Sequence, residues 1–393
     1  MKPSEELTKR IINRIRTEGA EGWLRAEPDV MQAVSCISFR DYMDMCLYDD
    51  EGGYYRSGAL RIGKTGDFYT SSAVGSVMGD KLAAFIARVI ESFGGDAEVA
   101  EWGAGTGRLS RHILTAWERL GHPWMNNLTY SLIEGNPVHL AEARRTIGEV
   151  GCKAPVRFMT PEDAERSDWS GKPLIVFANE LLDAFPVHRV VWKNGRLWEL
   201  GVACAADADN EAVSGGRLFR YAFMPLTDAR IAQSLKADGI VLREGQEFEV
   251  NLAAERWISL VGRLAADGAL IIIDYGHEAA ELAAPHRMRG TLLCYKEHVA
   301  HDDPFVYAGR QDITAHVNFS ACRRAAEGSG WEVVYYDTQK QFLVDQGILN
   351  DLTAHDGSNP FGEAAKNNRA IRQLLLSDAM SEAFKVMALR KKR

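Results

Sequence analysis

Residues 97–107 read Ala-Glu-Val-Ala-Glu-Trp-Gly-Ala-Gly-Thr-Gly, a short, partly apolar run that stops at three glycines set at every second position. Ala97 to Trp102 has the character of a buried parallel strand, and beyond Gly107 the chain continues as Arg108-Leu-Ser-Arg-His-Ile-Leu114 with helical apolar spacing. Strand, glycine turn and helix in that order suit a ligand loop, because glycine lets the backbone turn sharply and approach a bound molecule without a Cβ in the way. The other reading is a glycine-rich connection that binds nothing.

Spacing narrows the ligand. A dinucleotide loop wants G-x-G-x-x-G, but position 108 is Arg, so the pattern is G-x-G-x-G over Gly103, Gly105 and Gly107, preceded by the acid Glu101. A helix N-terminus above such a loop favours anions. A carboxylate at the strand end suits a ligand with hydroxyls and a cationic amino group, and S-adenosylmethionine (SAM) is one. Glu134 ends the next strand, Thr129 to Glu134, 27 residues beyond Gly107. In a doubly wound sheet a carboxylate there can accept from both ribose hydroxyls; otherwise it is a surface acid. Thr160, Glu162 and Asp163 follow a third strand, 155–159, where an adenine edge would lie or where Thr160 would cap a helix.

Outward from the loop the chain alternates. A helix is expected over 77–93, a second from Pro137 to about Val150 with proline in the first turn, and a fourth strand over 174–178. This rhythm predicts an α/β fold with a parallel sheet covered by helices on both faces. It breaks at His188 to Leu200, a β-hairpin turning at Asn194-Gly195, and the stretch 188–245 reads as an inserted β-rich subdomain. A helix over 252–266, a fifth strand over 268–274, a helix over 312–327, a sixth strand over 331–337 and a seventh over 383–389 complete the pattern, with helices inserted near 339–380. Residues 1–80 form an N-terminal cap, with a helix entered through Ser38. The core is then 81–187 plus 246–393.

Composition sets limits. With 46% hydrophobic and 25% charged residues over 393 positions the chain reads as an ordinary globular protein, and a net charge of -8 gives no global field for nucleic acid. No apolar run approaches the roughly 18 residues of a membrane span. The first 16 residues mix acids with bases and read as an amphipathic helix rather than a leader. Six scattered cysteines without a C-x-x-C pair suggest reduced thiols in a cytoplasmic protein.

Asn179-Glu-Leu-Leu-Asp-Ala-Phe-Pro186 follows the fourth strand, so Asn179, Glu180 and Asp183 fall where an open sheet faces its ligand, or else cap a helix. Tyr275 closes the fifth strand in the same crevice, as a substrate contact or a packing residue. Gly58 and Gly63-Lys64-Thr65 imitate a phosphate loop, but Gly66-Asp67 interrupts the helix such a loop needs. His298, His301, Asp302 and Asp303 lack a second cluster with ligand spacing, so no metal is expected. Ser71 and Ser72 sit in no nucleophile elbow.

These residues resemble a known family. Glu101-Trp-Gly-Ala-Gly-Thr-Gly107 is similar to motif I of class I SAM-dependent methyltransferases. Gly66-Asp-Phe-Tyr-Thr-Ser71, Asn179 to Pro186, Asp274-Tyr-Gly276, Gly290-Thr-Leu292 with Tyr295-Lys-Glu-His298, Asp312-Ile-Thr-Ala-His-Val-Asn-Phe319 and Thr338-Gln339 with Phe342-Leu343 resemble, in order, the MidA-type family. That family includes the mitochondrial protein arginine methyltransferase that assists respiratory complex I assembly. The family usually carries proline and an acid after the Thr-Ser, where this chain has Ser72 and Ala73.

The resemblance implies a class I methyltransferase fold, Rossmann-like and seven-stranded. SAM would be held by Glu101, Gly103, Gly105, Gly107 and Glu134, with a covering loop from Asp67 through Thr70 to Ser71. Asp163 and Asn179 complete the expected cofactor set, and Glu180, Asp183 and Tyr275 the catalytic one. The expected partner is a protein substrate, methylated on arginine; a homodimer is one option for assembly. A binding factor that keeps the cofactor fold but works through the inserted subdomain is the alternative, and a nicotinamide-dependent enzyme is disfavoured by the glycine spacing.

Overall fold

The strand that meets the glycines runs from Glu98 to Trp102 in the computed structural model, and all five of its residues are buried. The structure describes residues 5–24, 32–56, 76–205, 218–354, 362–376 and 382–391. It divides into two compact units, the first made of Met1–Gly58, Leu182–Arg256 and His277–Cys322, the second of Ala59–Leu181, Trp257–Gly276 and Arg323–Arg393.

The second unit carries the alternating pattern. Glu98–Trp102 lies between Thr129–Ile133 and Leu174–Asn179, parallel to both. Val156–Met159 extends one edge, and Gly268–His277, Phe384–Lys391 and Trp331–Thr338 extend the other. In the order of the chain the seven strands are arranged 6-7-5-4-1-2-3. The last strand, Phe384–Lys391, inserts antiparallel between the fifth and sixth. Because the first and fourth strands are neighbours whose crossovers leave in opposite directions, a crevice opens at their carboxyl ends.

Two helices pin the glycine turn from behind. Ser76–Ser92 and Arg108–Leu120 place Ile86, Ile113 and Trp117 in one core with the strand residues Val99 and Phe177. Trp117 is fully buried, and its indole N–H donates to the Ala83 carbonyl at 2.9 Å. The helix Pro137–Gly148 begins with proline at its first position, and the Asn136 side chain accepts from the amides of Val138 and His139. That cap satisfies two of the amides every helix start leaves open.

The first unit is β-rich. Its sheet runs 247–250, 188–193, 196–204, 33–38, 20–24, 219–224, and 219–224 pairs back onto 196–204, so four strands close a ring. The hairpin His188–Lys193 with Arg196–Cys204 turns at Asn194 and Gly195, both at positive φ, as a two-residue turn requires. Strands Ala20–Leu24 and Ala33–Ser38, for which the sequence carried no expectation, pair with this inserted region through Trp23 with Phe223 and Cys36 with Ala203. Arg189 is buried between Glu247 at 2.8 Å and Glu249 at 3.2 Å, so its charge is matched inside the unit.

The helix expected over 312–327 is half right. Asp312–Thr314 is a strand beside Leu293–Lys296, Val317–Asn318 is extended, and the helix starts only at Phe319. Asn318 sets that start, its side chain accepting from the amides of Ser320 and Ala321. Among the described residues no cysteine is in a disulfide. Among the described residues no helix is long and apolar enough to cross a membrane.

Candidate functional site

The glycine turn is built on left-handed backbone. Gly103, Gly105 and Gly107 have φ of 77°, 54° and 74°. A Cβ on Gly103 would stand 2.9 Å from Leu181 Cδ1, and one on Gly107 would meet Ala143 Cβ at 3.1 Å. Conformation demands glycine here, and a Cβ would in addition require Leu181 and Ala143 to shift.

Glu134 closes one side of the turn. Its carboxylate accepts from the Gly105 amide at 2.8 Å and from the Asn136 amide at 2.7 Å. The half-buried side chain thus lies against the loop.

Glu101 takes a different place. Only 3% exposed, it accepts from the Ser110 hydroxyl on the helix Arg108–Leu120, and Ser110 in turn bonds Tyr130 at 2.8 Å. Burial pushes its carboxyl up to about 8, with the hydrogen bonds from Ser110 acting the other way and the nearby Glu134 charge adding to the rise. At neutral pH it holds a proton. Glu101 braces the loop from beneath.

Across the loop, the fourth strand ends at Asn179, whose side-chain N–H donates to Glu180 at 3.0 Å. Among the described residues Asn179 Oδ1, which is buried, has no hydrogen-bond partner, so it is an acceptor that a bound ligand can satisfy. Glu180 stands at φ 53°, in the left-handed region that few non-glycine residues enter. Its amide still donates to the Ile273 carbonyl at 2.9 Å, so the strain sits at the strand's last rung.

The remaining expected residues part company. Asp163 is exposed and closes a capping box with Thr160, so its carboxylate serves a helix start. The Tyr275 ring packs on Phe384 with centroids 3.8 Å apart. Asp183 belongs to the first unit, where it is 4% exposed and its carbonyl accepts from the Ala315 amide. There Tyr55 donates to Asp312 at 2.8 Å, and its hydroxyl is pushed well above its ordinary range by burial, then by Asp312, Tyr48 and Asp183. Asp67, Thr70 and Ser71 lie outside the described residues. Among the described residues no group of three His, Cys, Asp or Glu could hold a metal ion.

Sequence reasoning missed two residues that shape this crevice. Asp274, 1% exposed at the end of the fifth strand, accepts from the Leu181 amide at 3.1 Å and the Tyr275 amide at 2.8 Å. Leu181 packs onto Gly103. The Asp-Tyr-Gly run marked the place, but nothing in it said which backbone groups the acid would hold.

Residues 81–337 match a family described as S-adenosyl-L-methionine-dependent methyltransferases. The chain belongs to that family. This methyltransferase is 32% identical to a Burkholderia thailandensis superfamily member whose crystal structure is bound to S-adenosyl-homocysteine, with a TM-score of 0.83 over 98% of this chain and 92% of that one. Curated relatives include the mouse "protein arginine methyltransferase NDUFAF7, mitochondrial", 26% identical over 79% of this chain and 71% of that protein, and its human counterpart, 25% identical over 90% and 80%. The class I fold and the SAM cofactor are thereby established for the methyltransferase. The residues present fit the cofactor: a carboxylate against the glycine loop, an open buried acceptor at Asn179, and a turn of three glycines in left-handed backbone.

Proposed function

We propose that this methyltransferase modifies arginine side chains of a protein substrate. The observation that carries the reading is Glu180, an acid held in left-handed backbone at the strand end that faces the cofactor loop. Strain of about 1–2 kcal/mol is tolerated where the surrounding structure uses the geometry. When bound, the cofactor supplies an electrophilic methyl group on a sulfonium. The protein must align a nucleophile and keep water out.

Arginine is a hard acceptor because its guanidinium holds its proton to a pKa above roughly 12. A carboxylate answers both needs: it orients the planar group through paired N–H donors and takes the proton lost as the nitrogen is alkylated. Glu180 fills that role, and Asn179 fixes the rotation of its carboxylate through the hydrogen bond to it. The names of the mouse and human relatives support arginine as the acceptor.

The test is transfer from labelled SAM into a cell extract, with the product read by mass spectrometry. Methyl label on arginine, lowered about 100-fold or more but still measurable in Glu180→Gln while S-adenosylhomocysteine still binds, is the expected result. Label on lysine or on small molecules alone would overturn the arginine reading.

A further inference from the structure

We infer that Asp274 is a positioning residue that holds Glu180 in its catalytic conformation. The inference rests on Glu180 acting at the acceptor, as proposed above. Its own basis is geometric and lies within the second unit.

The fourth and fifth strands pair in register up to Asn179 beside Ile273. One residue later Glu180 turns left-handed at φ 53°, and the next amide, that of Leu181, leaves the ladder. An amide shielded from water and left without an acceptor is destabilising. Asp274 removes that cost, one oxygen taking the Leu181 amide at 3.1 Å and the other the Tyr275 amide at 2.8 Å. The Leu181 side chain then lies on Gly103, within the space a Cβ there would need. The turn 179–181 is clamped on one side by a carboxylate and on the other by the cofactor loop. Asp274 does not have to touch substrate to matter. It fixes the backbone that aims Glu180.

An amide in place of this carboxylate has one oxygen and one NH2, so it can serve only one of the two backbone donors and opposes the other. Releasing Leu181 frees Glu180 to relax to negative φ and swings its carboxylate. Misplacement on the scale of 1 Å lowers turnover about 10- to 100-fold.

The experiment is a double-mutant cycle of Asp274→Asn and Glu180→Gln in the full chain. It reads kcat and KM for methyl transfer, and calorimetric affinity for S-adenosylhomocysteine. Asp274→Asn is expected to lower kcat at least about tenfold with cofactor affinity within about threefold, and to cost nothing further in the Glu180→Gln background. Multiplicative losses in the double variant would overturn the inference, as would unchanged kcat in Asp274→Asn. Should the amide variant not fold, Asp274→Ser, which keeps one acceptor, enters the same cycle. If the wild-type label appears on an acceptor other than arginine, the proposed function falls, and the cycle measured on that acceptor still decides the role of Asp274.

Discussion

Replacing Glu101 by Gln should change how the stability of this protein depends on pH. The carboxyl titrates from 4.5 in an unfolded chain to about 8 in the fold, chiefly because burial disfavours its charge. Between those values the folded state binds a proton that the unfolded state releases, so stability falls as pH rises, and the loss is complete above the folded value. A tenfold change in proton affinity is worth about 1.36 kcal/mol, so the rise from 4.5 to about 8 sets a ceiling on the order of 5 kcal/mol. Most of it, on the order of 3 kcal/mol, falls between about pH 5 and 8. The glutamine amide would keep a partner for Ser110 and have no proton to lose. Urea unfolding of both proteins without cofactor at pH 5, 6, 7, 8 and 9 measures the effect. The expected result is that the variant gains on the wild type steadily up to about pH 8 and then runs parallel to it. A stability difference that stays flat from pH 5 to 9 would refute the account of Glu101 as a protonated brace.

Gly107→Ala should cost about 2–3 kcal/mol in urea unfolding, since φ 74° strains any side chain and the new Cβ meets Ala143; an unchanged midpoint would show that the turn is not held as described. Glu134→Ala and Asp163→Ala should separate: the first weakens S-adenosylhomocysteine binding about tenfold by calorimetry, and the second costs about 1 kcal/mol of stability through its helix cap with binding intact. Equal effects on binding would place Asp163 at the cofactor.

The core was legible because its signals are local. Strand, glycines and helix over 97–114 are consecutive, and so are Pro137 at a helix start and Asn194-Gly195 at a hairpin turn. The strands at 20–24 and 33–38 were not legible, since their partners lie far along the chain, as Cys36 beside Ala203 shows, and no local pattern announces a distant edge. Over 312–319 the alternation of Ile313, Ala315, Val317 and Phe319 was a strand signal overshadowed by the helix that follows. At the site, residue types were readable but directions were not. Glu101 and Glu134 both end strands, yet one turns under the loop and the other against it, which depends on strand facing. The left-handed backbone of Glu180 leaves no trace in residue type, because glutamate has no preference for it.

The four-stranded ring of the first unit imposes a timetable on synthesis. Strands 20–24 and 33–38 leave the ribosome early, but the ring closes only when 196–204 and 219–224 have followed. The wait is 224 − 38 = 186 residues, on the order of 10–40 s at about 5–20 residues per second. Until residue 204 two strand edges have no final partner, and that of 20–24 waits to the end, while the first four strands of the second unit emerge in between. Such edges invite pairing with other chains. The N-terminal segment is therefore where a nascent-chain chaperone would have most to guard, and where slowing translation would most raise the risk of aggregation.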